Sequence, residues 1–343
     1  MSWRVNLKAK SLKELESFFK QRGEPSYRAG QLFLWMWKKG ISDFSLCSNF
    51  PKKLREELKN SFYVGNLKME RYLKSSDGAV KYIFQTDNKE RIESVFIPSD
   101  RRRTVCVSTQ IGCPLKCSFC ATGQGEFRGN LLGWEIADQV LQIMKHQEMR
   151  ITNVVFMGMG EPLLNWENVK KAIYIINDSY GLGIGARKIT ISTAGVVPGI
   201  YEFSKFPLQV KLAVSLNSGI QEKREKIMSV AKMFPLNELK KAIKFYYEKK
   251  TRMVTLEYVL IHSFNTSKED FLALKEFAAG LKVKINLIPL NFNENIPSFL
   301  PPSKDEINHF YKWCLSLPYP VSIRESRGKD VKGACGQLAQ FSV

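Results

Sequence analysis

From residue 104 onward the chain repeats one rhythm, and that rhythm admits very few folds. Short apolar, β-branched runs occur at "TVCVST", "ITNVVFM", "KITIST", "QVKLAVSL", "RMVTLEYVLI" and "VKINLIPL", each the length of a buried strand. Between them lie helical patterns such as "GWEIADQVLQIMKH", "WENVKKAIYIIN", "LNELKKAIKFYYEKK" and "SKEDFLALKEFAAG". Strand then helix, repeated six times, predicts a parallel α/β barrel or a doubly wound sheet. A seventh short strand, "PVSIRES", leads into a glycine-bearing tail. The unusual polar words all follow strands: a cysteine cluster the first, "GMGEP" the second, "STAG" the third, "SLN" the fourth and "PLN" the sixth. Parallel barrels build their working face at the carboxyl ends of the strands, so these words are expected to converge there.

The stretch before residue 64 reads differently. "SLKELESFFKQRG" offers Ser11 as a cap, apolar Leu12, Leu15, Phe18 and Phe19 at helical spacing, and Gly23 as a stop. "YRAGQLFLWMWKKG" predicts a second helix ending at Gly40, and Pro51 opens a third. "GAVKYIFQ" and "RIESVFIP" then read as strands, with "SSDG" as the turn before the first. We therefore expect a basic accessory domain over residues 1–95, a core over 96–318 and an extension over 319–343.

The 343 residues carry a formal charge of +19, and residues 1–93 alone hold 19 Lys and Arg against 11 Asp and Glu. That balance points to a polyanionic partner, and nucleic acid fits better than a membrane because no basic amphipathic anchor helix stands out. The longest greasy run, "LFLWMW", is far short of the ~20 residues a membrane helix needs, and the start lacks a signal-peptide pattern. The expectation is a soluble, cytoplasmic protein without membrane partners.

Seven cysteines, an odd number, argue against a disulfide framework and for metal or catalytic use. Cys47 and Cys314 sit in helical or helix-flanking stretches and are assigned to packing. In "CPLKCSFCATG", Cys113, Cys117 and Cys120 put three thiols on one tight loop, enough for three corners of a cubic iron–sulfur cluster with one iron left open. The competing reading is zinc completed by a distant histidine. Only His146, His262 and His309 exist, and none follows the loop at finger-like spacing. "GMGEP", taken alone, reads as a strand-to-helix turn with a cap-region glutamate.

"CPLKCSFCATG" after the first strand resembles the radical S-adenosylmethionine (SAM) superfamily. The flanking words "CVSTQIGC", "FMGMGEPLLN", "ITISTAGVVPGI", "LAVSLNS", "INLIPLN" and "ACGQL" together resemble the RlmN family of RNA adenine C2-methyltransferases, from about residue 4 to the end. The resemblance implies a partial (β/α)6 radical SAM barrel with a small N-terminal helical accessory domain. It implies that Cys113, Cys117 and Cys120 ligate a [4Fe–4S] cluster whose open iron chelates SAM. Gly160 and Glu161 would meet the amino end of SAM, and Ser192, Ser215, Leu216, Asn217 and Asn291 would hold its carboxylate, ribose and adenine. Two departures stand out: the family usually has histidine at Asn217 and proline at Phe292. A third is "LIHSFNTS", which replaces a more glycine-rich turn.

The same resemblance assigns two outlying cysteines. Adenine C2 is electron-poor and the SAM methyl group is itself an electrophile, so direct polar transfer to C2 is disfavoured. Cys335 would first take a methyl group from one SAM, and a second SAM, cleaved reductively, would supply the radical that activates it. The resulting carbon radical adds to C2 and ties the RNA to Cys335. Cys106 would then resolve the adduct by attacking the sulfur of Cys335, and Glu93 matches a carboxylate treated as a proton acceptor. A solvated strand residue is the other reading of Glu93. The implied partners are 23S rRNA and tRNA, with an electron donor such as flavodoxin or ferredoxin, for a monomeric enzyme. Alternatives are the sister group of the Cfr type, which acts on adenine C8, and a non-catalytic, metal-bearing RNA-binding protein.

Overall fold

The computed structural model describes residues 4–339. Its frame is a single ten-stranded sheet. The strands are β1 (Lys68–Lys74), β2 (Val80–Gln85), β3 (Arg91–Ser99), β4 (Arg102–Cys106), β5 (Asn153–Phe156), β6 (Ile189–Thr193), β7 (Lys211–Ser215), β8 (Val254–Leu260), β9 (Val283–Pro289) and β10 (Val321–Ile323). They lie in the sheet in the order in which they occur in the chain. β1 to β4 pair antiparallel, and β4 to β10 pair parallel. The six expected strands and the short seventh are all present.

The sheet also extends upstream. β2 and β3 are the two expected strands of the front region, and they continue the barrel sheet directly, with Val95 opposite Cys106. β1 has no counterpart in the sequence reading. It is the edge strand, "KMERYLK", largely exposed and too charged to show an apolar signal.

Helices fill the crossovers: α4 (Gly133–Gln147), α5 (Trp166–Asn177), α6 (Val197–Lys205), α7 (Leu236–Lys250), α8 (Lys268–Ala278) and α9 (Lys304–Cys314), preceded in the front region by α1 (Leu12–Lys20), α2 (Tyr27–Trp37) and α3 (Lys52–Ser61). α1 starts as expected, on a capping box in which Glu14 N donates to Ser11 Oγ and Ser11 N donates to Glu14 Oε2. Leu15, Phe18 and Phe19 are buried. The front helices share one continuous apolar core with the barrel. A buried ion pair fastens them: Lys8 Nζ lies 2.5 Å from Asp138 Oδ1 of α4, while Leu67 N donates to Asp138 Oδ2 at 2.7 Å. Cys47 and Cys314 are both fully buried in this core, the packing role expected of them. Among the described residues no helix is long and apolar enough to cross a membrane.

Inside the curved part of the sheet the register sets a polar row. Ser215, Glu257, Asn286 and Ser322 stand side by side on β7 to β10. Asn286 Nδ2 donates to Glu257 Oε2 at 2.6 Å, and Ser322 Oγ donates to Asn286 Oδ1 at 3.1 Å. One cavity above this row is walled by residues at the carboxyl ends of β5 to β10 and by the loop after β4. A sheet whose strand ends surround one cavity must be curled, as a partial (β/α)6 barrel is.

Candidate active site

The three-thiol loop hangs between β4 and a short helix, Ala121–Gln124. Two-residue strands, Gln110–Ile111 and Gly129–Asn130, pair across its base. Its glycines are sterically required. A Cβ on Gly112, at φ +77°, would lie 2.0 Å from Glu126 O, and one on Gly123 would lie 2.8 Å from both N and O of Cys117. Cys113, Cys117 and Cys120 are free, partly buried, and line the cavity. Burial pushes the Cys113 thiol up to about 12 and raises Cys117 and Cys120 as well. Thiols so placed become thiolates only with a cation beside them.

Among the described residues no three His, Cys, Asp or Glu side chains gather around one ion. A cubane asks for something else, namely thiols reaching separate irons around a volume. Three cysteines on one loop against an open cavity fit that demand. The cavity wall opposite them supplies polar groups for a cofactor. Asn291 lines it, and its buried Oδ1 has no hydrogen-bond partner among the described residues.

Gly160 and Glu161 line the same cavity. Gly160 has φ +98°, and a Cβ there would sit 2.5 Å from Gln110 Cβ. The close approach that requires glycine is thus first to Gln110, whose Oε1 accepts from Glu161 N at 2.8 Å. Glu161 does cap the following 3-10 turn, with Oε1 accepting from Leu163 N at 3.0 Å. Its Oε2 accepts from Ala194 N at 2.7 Å. Burial pushes this carboxyl up to about 7, against the pull of those N–H donors.

Ser192, Ser215 and Asn217 also line the cavity, whereas Leu216 does not. The Leu216 side chain belongs to the core, and its carbonyl accepts from Arg224 Nε at 3.1 Å. Asn217 occupies a left-handed backbone position, φ +58°, which asparagine tolerates better than most residues. Its Oδ1 accepts from Val259 N at 3.0 Å, stitching the end of β7 to β8, and its Nδ2 reaches Met228 Sδ at 3.3 Å.

Cys335 lines the cavity too, held by Asn291 Nδ2 donating to its carbonyl at 3.0 Å and by Ala121 N donating to Gly336 O at 2.8 Å. The tail therefore packs on the three-thiol loop. Cys106, the last residue of β4, is buried and is not a lining residue. Its thiol is pushed up to about 12 by burial and by the proximity of Cys335, with Arg324 pulling the other way. Both sulfurs are free.

Glu93 is not solvated. It is buried on β3, its Oε1 2.8 Å from Lys81 Nζ and its Oε2 accepting from Ala339 N at 2.8 Å. Burial raises its carboxyl and Lys81 opposes the rise. It does not line the cavity.

Sequence reasoning missed Gln110, Glu257 and Arg324. Arg324 is a cavity residue just beyond β10, and its guanidinium is held above the ordinary arginine range by Cys335 first, then by Glu257 and Cys106, against the cost of burial. In the sequence Arg324 is one arginine following the predicted strand of "PVSIRES", with no spacing that marks it.

Two family models match the chain. "Ribosomal RNA large subunit methyltransferase N-terminal domain" covers residues 5–64, and "Radical SAM superfamily" covers residues 107–278. A "Probable dual-specificity RNA methyltransferase RlmN" of Caldanaerobacter subterraneus is 41% identical over 334 residues, which is 97% of each chain. A "Dual-specificity RNA methyltransferase RlmN" of Geotalea uraniireducens is 38% identical over 335 residues, 98% of this chain and 96% of that one. A crystal structure of a radical SAM methyltransferase from Sphaerobacter thermophilus superposes with a TM-score of 0.92 at 37% identity, covering 98% of this chain and 99% of the other.

Proposed function

Because this chain belongs to the RlmN family of radical SAM RNA methyltransferases, we propose that it methylates C2 of an adenine in 23S rRNA and in tRNA, through an S-methylated Cys335 and a transient protein–RNA adduct. The observation that carries this reading is the grouping of Cys335, Cys106 and Arg324, three groups within electrostatic reach of one another at the cavity's edge.

Cys113, Cys117 and Cys120 would hold a [4Fe–4S] cluster, and Gly160, Glu161, Ser192, Ser215, Asn217 and Asn291 would hold SAM beside it. When bound, the cluster and SAM supply an electrophilic methyl group and, on reduction, a carbon-centred radical. The residues do the rest. Arg324 sets its positive charge beside the Cys335 sulfur, and that sulfur is the nucleophile that methyl transfer needs. Glu161 anchors the wall on which the amino acid end of SAM would lie. The Cys106 thiol attacks the Cys335 sulfur of the adduct and forms a disulfide with it; the carbon–sulfur bond breaks, its electron pair and a proton go to the methylene carbon, and the methylated base leaves. Two electrons from a flavodoxin- or ferredoxin-type donor restore both thiols before the next cycle. The target base has to leave its stack to reach the cavity. We assign residues 1–95 to gripping the RNA backbone around it, 96–318 to the chemistry, and 319–343 to carrying the methyl group.

The two outlying cysteines act at different stages, and this separates them experimentally. Cys335→Ala has no sulfur for the methyl group and forms neither adduct nor product. Cys106→Ala keeps the carrier, loses the resolving thiol, and accumulates protein covalently joined to RNA. A denaturing gel with labelled RNA should show a retarded, nuclease-sensitive band for Cys106→Ala alone. Identical behaviour of the two variants, or crosslinking by Cys335→Ala, would overturn the assignment.

A further inference from the structure

The tail that carries Cys335 is clasped by a hairpin turn for which the chemistry above has no use. The turn, residues 75–78, joins β1 to β2 and closes with Gly78 N donating to Ser75 O at 3.1 Å. Asp77 uses one oxygen inside it, Oδ1 accepting from Ala79 N at 3.0 Å. The other faces the tail, Oδ2 accepting from Gly328 N at 2.8 Å. Asp330 does the reverse: from the tail, its Oδ1 accepts from Ser75 Oγ at 2.5 Å and its Oδ2 from Ser76 N at 2.9 Å. Arg327 adds a third tie, Nη1 donating to Pro98 O at 2.7 Å.

Further along, Lys81 Nζ donates to Lys332 O at 3.3 Å, and Ala339 N donates to Glu93 Oε2. Residues 328–339 are thus pinned to the hairpin at one end and to β3 at the other, with Cys335 in the span between. Both carboxyls of the clasp lie below their ordinary range. At Asp77 burial pushes upward but the N–H groups of Ala79 and Gly328 outweigh it, and at Asp330 the hydroxyl of Ser75 and the N–H of Ser76 pull downward. Charge-assisted hydrogen bonds of this kind are the stronger sort. Gly328, at φ +74°, starts the span in a conformation that side chains resist.

We infer that Asp77 and Asp330 are positioning residues for Cys335: their reciprocal clasp of turn and tail fixes where the carrier loop begins, and so where its thiol meets the cavity. The inference rests on the reading of Cys335 as methyl carrier. Displacing a reacting group by about 1 Å can cost a hundredfold in rate, so losing the clasp should slow methyl loading by about tenfold or more. Both carboxylates are exposed, so the fold has no need of them in its core.

The test uses full-length, anaerobically reconstituted enzyme carrying Asp77→Ala with Asp330→Ala, or Asp330→Asn alone. Three quantities are measured: hydrogen exchange of peptides spanning 328–339, the rate at which the Cys335 peptide gains a methyl group from SAM, and iron content with melting temperature. In the double variant, exchange accelerates and methyl loading falls by about tenfold or more, while iron content and melting temperature hold. Asp330→Asn stays near wild type, because its carboxamide can accept from Ser76 N and donate to Ser75 Oγ. Unchanged exchange and loading in the double variant would overturn the clasp. A wild-type enzyme whose Cys335 never gains a methyl group would overturn the carrier reading instead, and this role with it.

Discussion

At the scale of single residues, the site depends on atoms that cannot be added as much as on those present. Gly160→Ala would force a Cβ to within 2.5 Å of Gln110 Cβ at a backbone angle of +98°. We expect a loss of about 2 kcal/mol, from overpacking and backbone strain together. The same shift breaks the bond from Glu161 N to Gln110 Oε1, so SAM affinity should fall as well. Thermal melting and equilibrium dialysis with SAM report the two effects. Cys113→Ala, Cys117→Ala and Cys120→Ala should each abolish cluster retention, since two thiolates cannot hold a cubane firmly; full iron in any one of them would show that it is not a ligand. The thiols were legible in the sequence because their spacing is itself the signal. Gln110 and Arg324 were not, since a glutamine beside a strand and an arginine after one carry no spacing rule, and their importance comes from what tertiary folding sets next to them.

At the scale of elements, the alternation of apolar runs and helical patterns marked the interior parallel strands, because strands covered on both faces are built largely from apolar, β-branched residues. What escaped was the edge strand β1, whose charged sequence serves to blunt an exposed edge. The "LIHSFNTS" loop after β8 is held by a specific device. Ser263 takes φ +51°, and Glu306 at the start of α9 gathers the loop. Its oxygens accept from Ser263 N at 2.8 Å, Thr266 Oγ1 at 3.0 Å and Ser303 N at 2.8 Å, and His262 Nδ1 lies 2.7 Å away. Burial pushes this carboxyl upward, but the N–H donors and His262 hold it down at about 2. A carboxyl depressed in the folded state stabilises it fully above the ordinary glutamate range, and that contribution fades as pH falls toward about 2. Glu306→Gln should therefore lower the melting temperature at neutral pH, with the gap from wild type closing in acid. A gap independent of pH would mean that Glu306 acts by packing alone.

At the scale of the whole molecule, charge and architecture meet in the front helices. If they make about five phosphate contacts to single-stranded RNA, log K should fall with log salt at a slope of about −3.5, or about −0.7 per contact. Lys52 and Lys53, both exposed on α3, are suitable probes. Replacing both with glutamine should flatten the slope by about 1.4, and an unchanged slope in filter binding would move the RNA grip elsewhere. Point changes are preferable to deletion, because cutting away the front of the chain through α3 also removes Lys8 and would strand Asp138 buried without it, a cost of about 3 kcal/mol or more. The sheet order has a consequence of its own. With every strand beside its neighbour in sequence, a chain emerging from the ribosome can lay down the sheet strand by strand, each new one docking on an edge already formed. The thiols meant for the cofactor are then made early and Cys335 comes near the end. On the proposed chemistry, an unfinished enzyme has nothing with which to bond covalently to RNA, so the order of translation protects the nascent chain from its own reaction.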